Sequence, residues 1–328
     1  LLTSSREIDP EAYEAYLKGL TQLYELTPAG FDAGQYYLEQ ALEKDPDFAQ
    51  AHGAMSMVWA ARQQMGLMSV KEAAPKARAA AQRALDLDDS VAEAHYALAA
   101  IKTWTDWDWE GAEPAFLRAI ELKPNWEIVR AYYAHYLMIT GRTEEAIEQM
   151  ERAVEIDPYS PVVQALSGVL LENTGQCEVA LGFYRNALEA VPNNPLALGG
   201  LVRSYYCLEM YEETYAAAVA NWTAMGRPDA VAALENGYAE DGFEGAMSAM
   251  AEWKLEAAAS NKDMPPCGDA AFNLAAAGRN QEALDCLELA INTGNPNMPY
   301  LGVFEIFRSL RDEPRFQEFL RRLDLPAA

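Results

Sequence analysis

The sequence predicts an all-α repeat array, and three observations carry that prediction. Ala146, Met150, Ala153 and Pro158 recur as Ala180, Tyr184, Ala187 and Pro192, each displaced by 34 residues. The alanines at i and i+7 fall on one stripe of a helix, where small side chains let a second helix approach closely and the bulky residue between them fills the gap. The proline then ends the helix, because it lacks an N–H and clashes with the preceding turn. The same stripe reappears with local variation as Gly34, Leu38, Ala41 and Pro46, as Ala77, Ala81 and Ala84, as Ala112, Phe116, Ala119 and Pro124, and as Ala283, Leu287 and Ala290.

Taken in chain order, the first repeat opens at Asp9-Pro10, with proline suited to a first helical turn. Helices are expected near 10–25 and 30–44, joined by a long turn over 26–30. Repeat two, about 48–88, is stretched: Ala41 to Ala84 spans 43 residues, nine over the period. The excess is placed in an extended loop around 66–70. Repeat three, about 91–123, is one residue longer than the period, and its turn reads Trp104-Thr105-Asp106-Trp107-Asp108-Trp109. The tryptophans are read as plugs between successive hairpins, against the alternative of a ligand cage. The alternating acids lack the glycine and terminal glutamate of a calcium loop.

Repeats four and five, 127–192, are the regular pair. Repeat six, about 194–225, is worn, with Thr214, Ala218 and Asn221 at the stripe positions and Gly226 in place of proline. A seventh pair is expected at about 229–241 and 243–260, broken at Asp241-Gly242, and a loop over 261–266 separates it from an eighth. After Gly294-Asn295-Pro296 the chain is expected to end in an amphipathic helix, about 312–323, capping the last apolar face. Residues 1–226 thus carry repeats one to six. Residues 227–328 carry degenerate pairs and the cap, continuous with the same solenoid.

The period and the motif resemble the tetratricopeptide repeat (TPR). That resemblance implies a right-handed superhelix (α-solenoid) of about seven to eight helix pairs with a C-terminal capping helix. Three further stretches narrow it: the opening Asp9-Pro10-Glu11-Ala12-Tyr13-Glu14-Ala15-Tyr16-Leu17-Lys18-Gly19, the Asp106-Trp107-Asp108-Trp109 turn, and Leu310-Arg311-Asp312-Glu313-Pro314-Arg315-Phe316. Together they resemble the C-terminal TPR region of bacterial signalling proteins. In that family the region follows an adenylate/guanylate cyclase, a winged-helix regulator or a Ser/Thr kinase, often with a TolB-like segment between. The similarity runs over 9–326 and departs at repeat six. It implies a sensory or docking module attached to an effector, and the start at Leu1 without an initiator methionine fits a fragment of such a protein.

Composition limits the chemistry. Twenty-five Lys and Arg stand against 50 Asp and Glu, a net charge of −25 in 328 residues. Direct nucleic-acid binding, which needs clustered positive charge, is disfavoured, as is an anionic membrane surface. A solvated acidic exterior accounts for the charge. No apolar run approaches a bilayer span and no signal peptide is visible, so a cytoplasmic chain is expected. Cys177, Cys207, Cys267 and Cys286 lack metal or redox spacing and are read as small apolar fillers in a reducing compartment. No catalytic residue, cofactor or metal site is assigned. His52 and His95, equivalently placed in repeats two and three, fit inter-helix packing with a hydrogen bond. No phosphate loop or nucleophilic triad appears.

In the TPR family, set positions of each first helix point into the concave groove. Carried onto this sequence, these positions give Tyr96 and Trp104 in repeat three, Ile128, His135 and Met138 in repeat four, Val169, Glu172 and Asn173 in repeat five, and Arg203 and Tyr206 in repeat six. The lining is small and apolar. It suits a protein or peptide segment with apolar anchors better than a carboxylate clamp, unless these residues only touch the facing turn of the superhelix. The expected function is therefore a non-catalytic interaction module that regulates an attached effector. The alternatives are a small-molecule sensor, with its ligand near Tyr96, Trp104 and His135, or a dimerisation device.

Overall fold

The structure is a computed structural model, and it describes residues 8–260 and 268–326. Helix hairpins follow one another along the chain, and no strand occurs among the described residues. Two compact units are distinguished: 1–102 with 108–125, and 103–107 with 126–328.

In the first unit, α1 (Pro10–Leu23) pairs with α2 (Pro28–Lys44), α3 (Ala49–Gln64) with α4 (Val70–Leu87), and α5 (Ala92–Ile101) with α6 (Trp109–Leu122). Asp9 caps α1, its Oδ1 accepting from the amides of Glu11 and Ala12 at 2.8 and 3.0 Å. Two orphan donors of the first turn are satisfied in this way. The expected stripes are buried: Leu38 and Ala41 on α2, Ala77, Ala81 and Ala84 on α4, and Ala112, Phe116 and Ala119 on α6.

The nine extra residues of repeat two do not form an extended loop. Only 65–69 separate α3 from α4, and most of the excess lengthens the helices to 16 and 18 residues, against 13 and 14 in the regular repeat that follows. The alternative would leave unpaired backbone in a long loop, and the helices absorb the insertion with their own hydrogen bonds. The extra residue of repeat three is absorbed differently. A π turn over Lys102–Asp106 follows α5, and the Asp108 amide reaches the Lys102 carbonyl at 2.9 Å. A π turn is the way a helix accommodates one inserted residue.

His52 and His95 each make the expected hydrogen bond, and its acceptor is a backbone carbonyl of the preceding turn. Each is half-buried and bonds by Nε2 to the carbonyl six residues earlier, Pro46 at 2.8 Å and Asp89 at 2.9 Å. In repeat five Gln164 Nε2 donates to the Pro158 carbonyl at 2.7 Å from the same place. A polar side chain at this position staples the turn between repeats.

The second unit holds α7 (Glu127–Ile139) with α8 (Thr143–Ile156), α9 (Pro161–Asn173) with α10 (Cys177–Ala190), and α11 (Pro195–Cys207) with α12 (Tyr211–Ala224). The first helices also touch each other, α7 against α9 and α9 against α11. Beyond them lie α13 (Pro228–Ser260), α14 (Gly268–Ala276) and α15 (Asn280–Asn292). The backbone of α13 leaves helical geometry at Asp241 and Gly242, where Gly242 has φ +59°, so it is the expected broken pair. The loop read over 261–266 lies outside the described residues. After α15 come two 3₁₀ turns, Met298–Tyr300 and Glu305–Leu310, and α16 (Pro314–Arg322), which packs on α15 as the expected terminal helix.

Within a regular hairpin the turn needs a left-handed residue. Gly141 and Gly175 supply it at φ +81° and +80°. The equivalent in worn repeat six is Glu209, held at φ +58°, where a Cβ costs roughly 1–2 kcal/mol. Glu209→Gly is accordingly expected to stabilise the chain by about 1 kcal/mol. A urea-denaturation midpoint that falls instead of rising would contradict this.

Candidate functional site

The groove positions fall in both units. Tyr96 belongs to the first, where its ring lies 6.4 Å from that of Phe116 and it is buried. Nearby on α5, Glu93 is buried to 1% exposure and takes the Tyr16 hydroxyl at 2.8 Å as well as the Lys123 ammonium. The remaining nine positions lie in the second unit, on the π turn and on α7, α9 and α11.

That second set does not form an open groove. The segment 298–310 lies against it, with Tyr300 reaching α7 and Phe304 reaching α11. Tyr300, 5% exposed, meets His135, which has no exposure. The rings stand edge to face with centroids 5.9 Å apart, and His135 Nδ1 lies 3.1 Å from the Tyr300 hydroxyl. The other imidazole nitrogen, Nε2, lies 2.9 Å from the Leu166 carbonyl. A carbonyl can only accept, so Nε2 carries the proton and Nδ1 of the neutral ring accepts from Tyr300. Burial holds the imidazole in this form by lowering its pKa to about 4, against a smaller upward pull from the Leu166 bond. Burial likewise raises the Tyr300 hydroxyl above its usual range, keeping it a donor.

Four residues on, Phe304 stacks on Tyr300 at 5.3 Å, and the Arg203 guanidinium sits 6.0 Å from its ring centroid. Arg203 is held from behind. Its Nε donates to Glu172 Oε1 at 2.6 Å, and Glu172 Oε2 accepts from the Tyr184 hydroxyl at 2.7 Å. Burial pushes the Glu172 carboxyl up, while Arg203 and Tyr184 pull it back. Burial also raises the Tyr184 hydroxyl, so that it donates to the carboxylate. Glu172, at 2% exposure, is therefore a buried anchor for Arg203.

Trp104 is buried and meets Tyr132 edge to face at 5.6 Å. It packs as a plug rather than as an open cage. Ile128 and Val169 are buried in the helix stack, and Tyr206 lies among Tyr211, Phe243 and Phe272 at 6.0–6.3 Å. Met138 and Asn173 line a cavity of about 420 Å³. Its other walls include Gly141 and Gly175 from the hairpin turns, and Val303, Glu305 and Arg311 from the C-terminal segment. Glu305 and Arg311 are themselves paired at 3.1 Å.

Sequence reasoning missed Tyr300 and Phe304. They lie outside the repeat, in a stretch with no helical period. The available signal was the density of aromatic residues after Gly294-Asn295-Pro296, where Tyr300, Phe304 and Phe307 fall within eight positions.

The cysteine reading is corrected as well. Cys177 at the start of α10 and Cys207 at the end of α11 form a disulfide across repeats five and six, with Cα atoms 6.3 Å apart. Two cysteines 30 residues apart carry no sequence signal of pairing; the stacking of adjacent hairpins brings them together. Cys286 is buried, and Cys267 lies outside the described residues. Closing a loop of this length constrains the unfolded chain by about 3–4 kcal/mol. Reduction, or Cys177→Ser with Cys207→Ser, is expected to lower stability by that order, read from urea curves with and without reductant. Identical curves from protein shown to carry the bridge would contradict it.

Comparison with known proteins agrees with the repeat reading. Residues 133–160, within α7 and α8 and the turn after them, match the tetratricopeptide repeat family. No curated protein matches the chain. Among solved structures, a monomeric mutant of IFIT1 with Gppp-AAAA is similar at 14% identity and TM-score 0.61, over 95% of this chain and 71% of that one. The APC/C hetero-tetramer Cut9-Hcn1 is similar at 14% identity and TM-score 0.50, over 98% of this chain and 50% of that one. The type IV pilus biogenesis factor PilW matches at 19% identity and TM-score 0.46, over 62% of this chain and 93% of that one. At such identities the likeness concerns fold alone: this is an all-α array of tetratricopeptide-type hairpins.

Proposed function

We infer that the chain is a protein-interaction module whose second unit binds polypeptide segments along α7, α9 and α11, and that this binding modulates an attached effector domain. One observation carries the reading. Two of these helices, α7 and α11, already hold a stretch of chain that is not part of a hairpin, through side-chain contacts at His135 and Arg203. A surface that seats an irregular segment by an aromatic hydroxyl and an aromatic face has the chemistry of peptide recognition. The effector is proposed from the resemblance of the opening, the tryptophan turn and the 310–316 stretch to signalling proteins.

The test is a peptide-display selection on the whole chain. Peptides of micromolar affinity are expected, and Arg203→Ala should weaken them at least tenfold, since this side chain is 22% exposed and faces the segment. Failure to enrich any peptide, or affinity indifferent to Arg203→Ala, would overturn the reading.

A second reading, a small-molecule sensor, is favoured by the cavity at Met138 and Asn173, whose size lies within the range of ligand sites of roughly 300–1,000 Å³. Its location differs from the Tyr96, Trp104 and His135 neighbourhood expected from sequence, since Trp104 and His135 are covered. A screen of nucleotides, sugars and amino acids by thermal shift distinguishes it. Pairing of two chains at repeat six is tested by light scattering at high concentration.

No helix among the described residues is long and apolar enough to cross a membrane. The cytoplasmic placement expected from sequence sits poorly with the Cys177–Cys207 bridge, which is a feature of oxidising compartments. A non-reducing peptide map of protein from its native source decides between them.

A further inference from the structure

We propose that the segment 298–304 is a self-ligand that gates the groove, and that the partner displacing it presents a tyrosine followed four residues later by an aromatic side chain. The proposal rests on the peptide-binding reading above and specifies both its ligand and its control.

Beside the burial of Met298 and Leu301, two contacts that seat the segment are side-chain contacts of a kind that can be supplied in trans. Tyr300 gives its hydroxyl to His135 Nδ1, and Phe304 presents its ring to Arg203. The tyrosine is specified by a neutral imidazole whose other nitrogen is committed to the Leu166 carbonyl, so Nδ1 must accept. Phenylalanine would leave that buried acceptor unpaired. The second subsite asks for an aromatic face beneath a guanidinium, and Arg203 is aimed by the Glu172–Tyr184 pair behind it. The Tyr300–Phe304 stack at 5.3 Å sets the distance between the two side chains.

The segment also has the attachment a gate needs. It is bounded upstream by Gly294, at φ +72°, with Asn295 and Pro296. Downstream, α16 touches Gly302 of the segment and Phe307 just beyond it but also has its own attachment to α15, ion pairs of Arg315 with Asp285 and Glu288, both at 2.8 Å. The gate requires that residues 298–304 leave while these α15 contacts keep the terminal helix docked. The cavity lined by Val303 on one wall and Met138 and Asn173 on the other lies beside the seated segment, where an incoming chain can begin to compete. A tethered occupant has an effective concentration in the millimolar range for a short link, so the intact chain should bind partners weakly until the tether is beaten.

The experiment uses the full chain and a fluorescein-labelled synthetic peptide of residues 296–308, read by fluorescence anisotropy. Tyr300→Ala with Phe304→Ala, which empties both subsites, is expected to bind the peptide at least tenfold more tightly than the wild type. A peptide carrying the same two alanines should not bind either chain. If the double variant is unfolded by circular dichroism, the wild type is used instead: saturating peptide should speed amide exchange over 298–304 at least tenfold and leave α16 protected. A folded double variant that ignores the peptide, or unchanged exchange in the wild type, overturns the proposal. Peptides from the display selection that need Arg203 yet bind wild type and double variant equally would sink the gate and leave the interaction module standing.

Discussion

Tyr184→Ala is expected to be the most damaging single truncation in the second unit, lowering stability by about 3–5 kcal/mol from packing alone. The ring has no exposure and sits between the first helices of repeats five and six. Gly168 on α9 and Gly200 on α11 make room for it: a Cβ at either would lie 2.5 Å or 2.1 Å from the Tyr184 ring. Removing the ring leaves a void bordered by two residues that have no side chain to collapse into it. The hydroxyl adds a separate term, because Glu172 would lose a donor in a buried site, costing a further 1–3 kcal/mol or so. Tyr184→Phe isolates this second term. Urea denaturation of the three proteins checks the argument: the alanine variant should lose clearly more than the phenylalanine variant, and equal losses would mean that packing contributes nothing there.

The second large effect is a pH dependence carried by His135. Its folded pKa of about 4 lies below the ordinary 6.5, burial being the main cause. A depressed folded pKa means that the unfolded chain binds the proton more readily. The stability belonging to the neutral buried ring is thus present above about pH 6.5 and is lost as pH falls towards 4. Over that window the loss approaches about 3 kcal/mol, at 1.36 kcal/mol per unit. The ring faces Tyr132 and Tyr300, and burial raises the Tyr300 hydroxyl above its usual range. Many carboxylates elsewhere titrate in this window, so the measurement is a difference between the wild type and His135→Gln, which keeps one donor and one acceptor without a titrating group. The stability difference should shrink steadily from pH 7 to pH 4, and parallel curves would show that His135 is not held neutral by burial. The same acidification should loosen the Tyr300 contact, since a protonated imidazole has no acceptor for its hydroxyl.

The repeat was legible because its cause is local. A stripe of alanines with one bulky residue can be read from spacing, and the helices it predicts are present, including the break at Asp241-Gly242. Even volume compensation is written in the period. Met150 packs where position 134 is alanine and 166 is leucine; 34 residues on, the larger Tyr184 is met by Gly168 and Gly200. Insertions were less legible, because length alone does not say whether extra residues become loop, longer helix or π turn. Backbone hydrogen bonding chose the last two.

The groove positions on the first helices were found by register, and register says which way a side chain points without saying what it meets. Glu172 reads as a polar groove residue, yet it is buried and spent on Tyr184 and Arg203. His135 reads as a groove histidine, yet its partner is 165 residues away. The helix hairpins and their stripes follow from the order of residues alone, because they depend on neighbours within one repeat. Stacking of the hairpins is what brings Cys177 to Cys207, Tyr300 to α7 and Phe304 to α11. Those contacts join segments with no common period, and their free energy comes from burying aromatic surface and satisfying buried polar atoms after the chain has stacked.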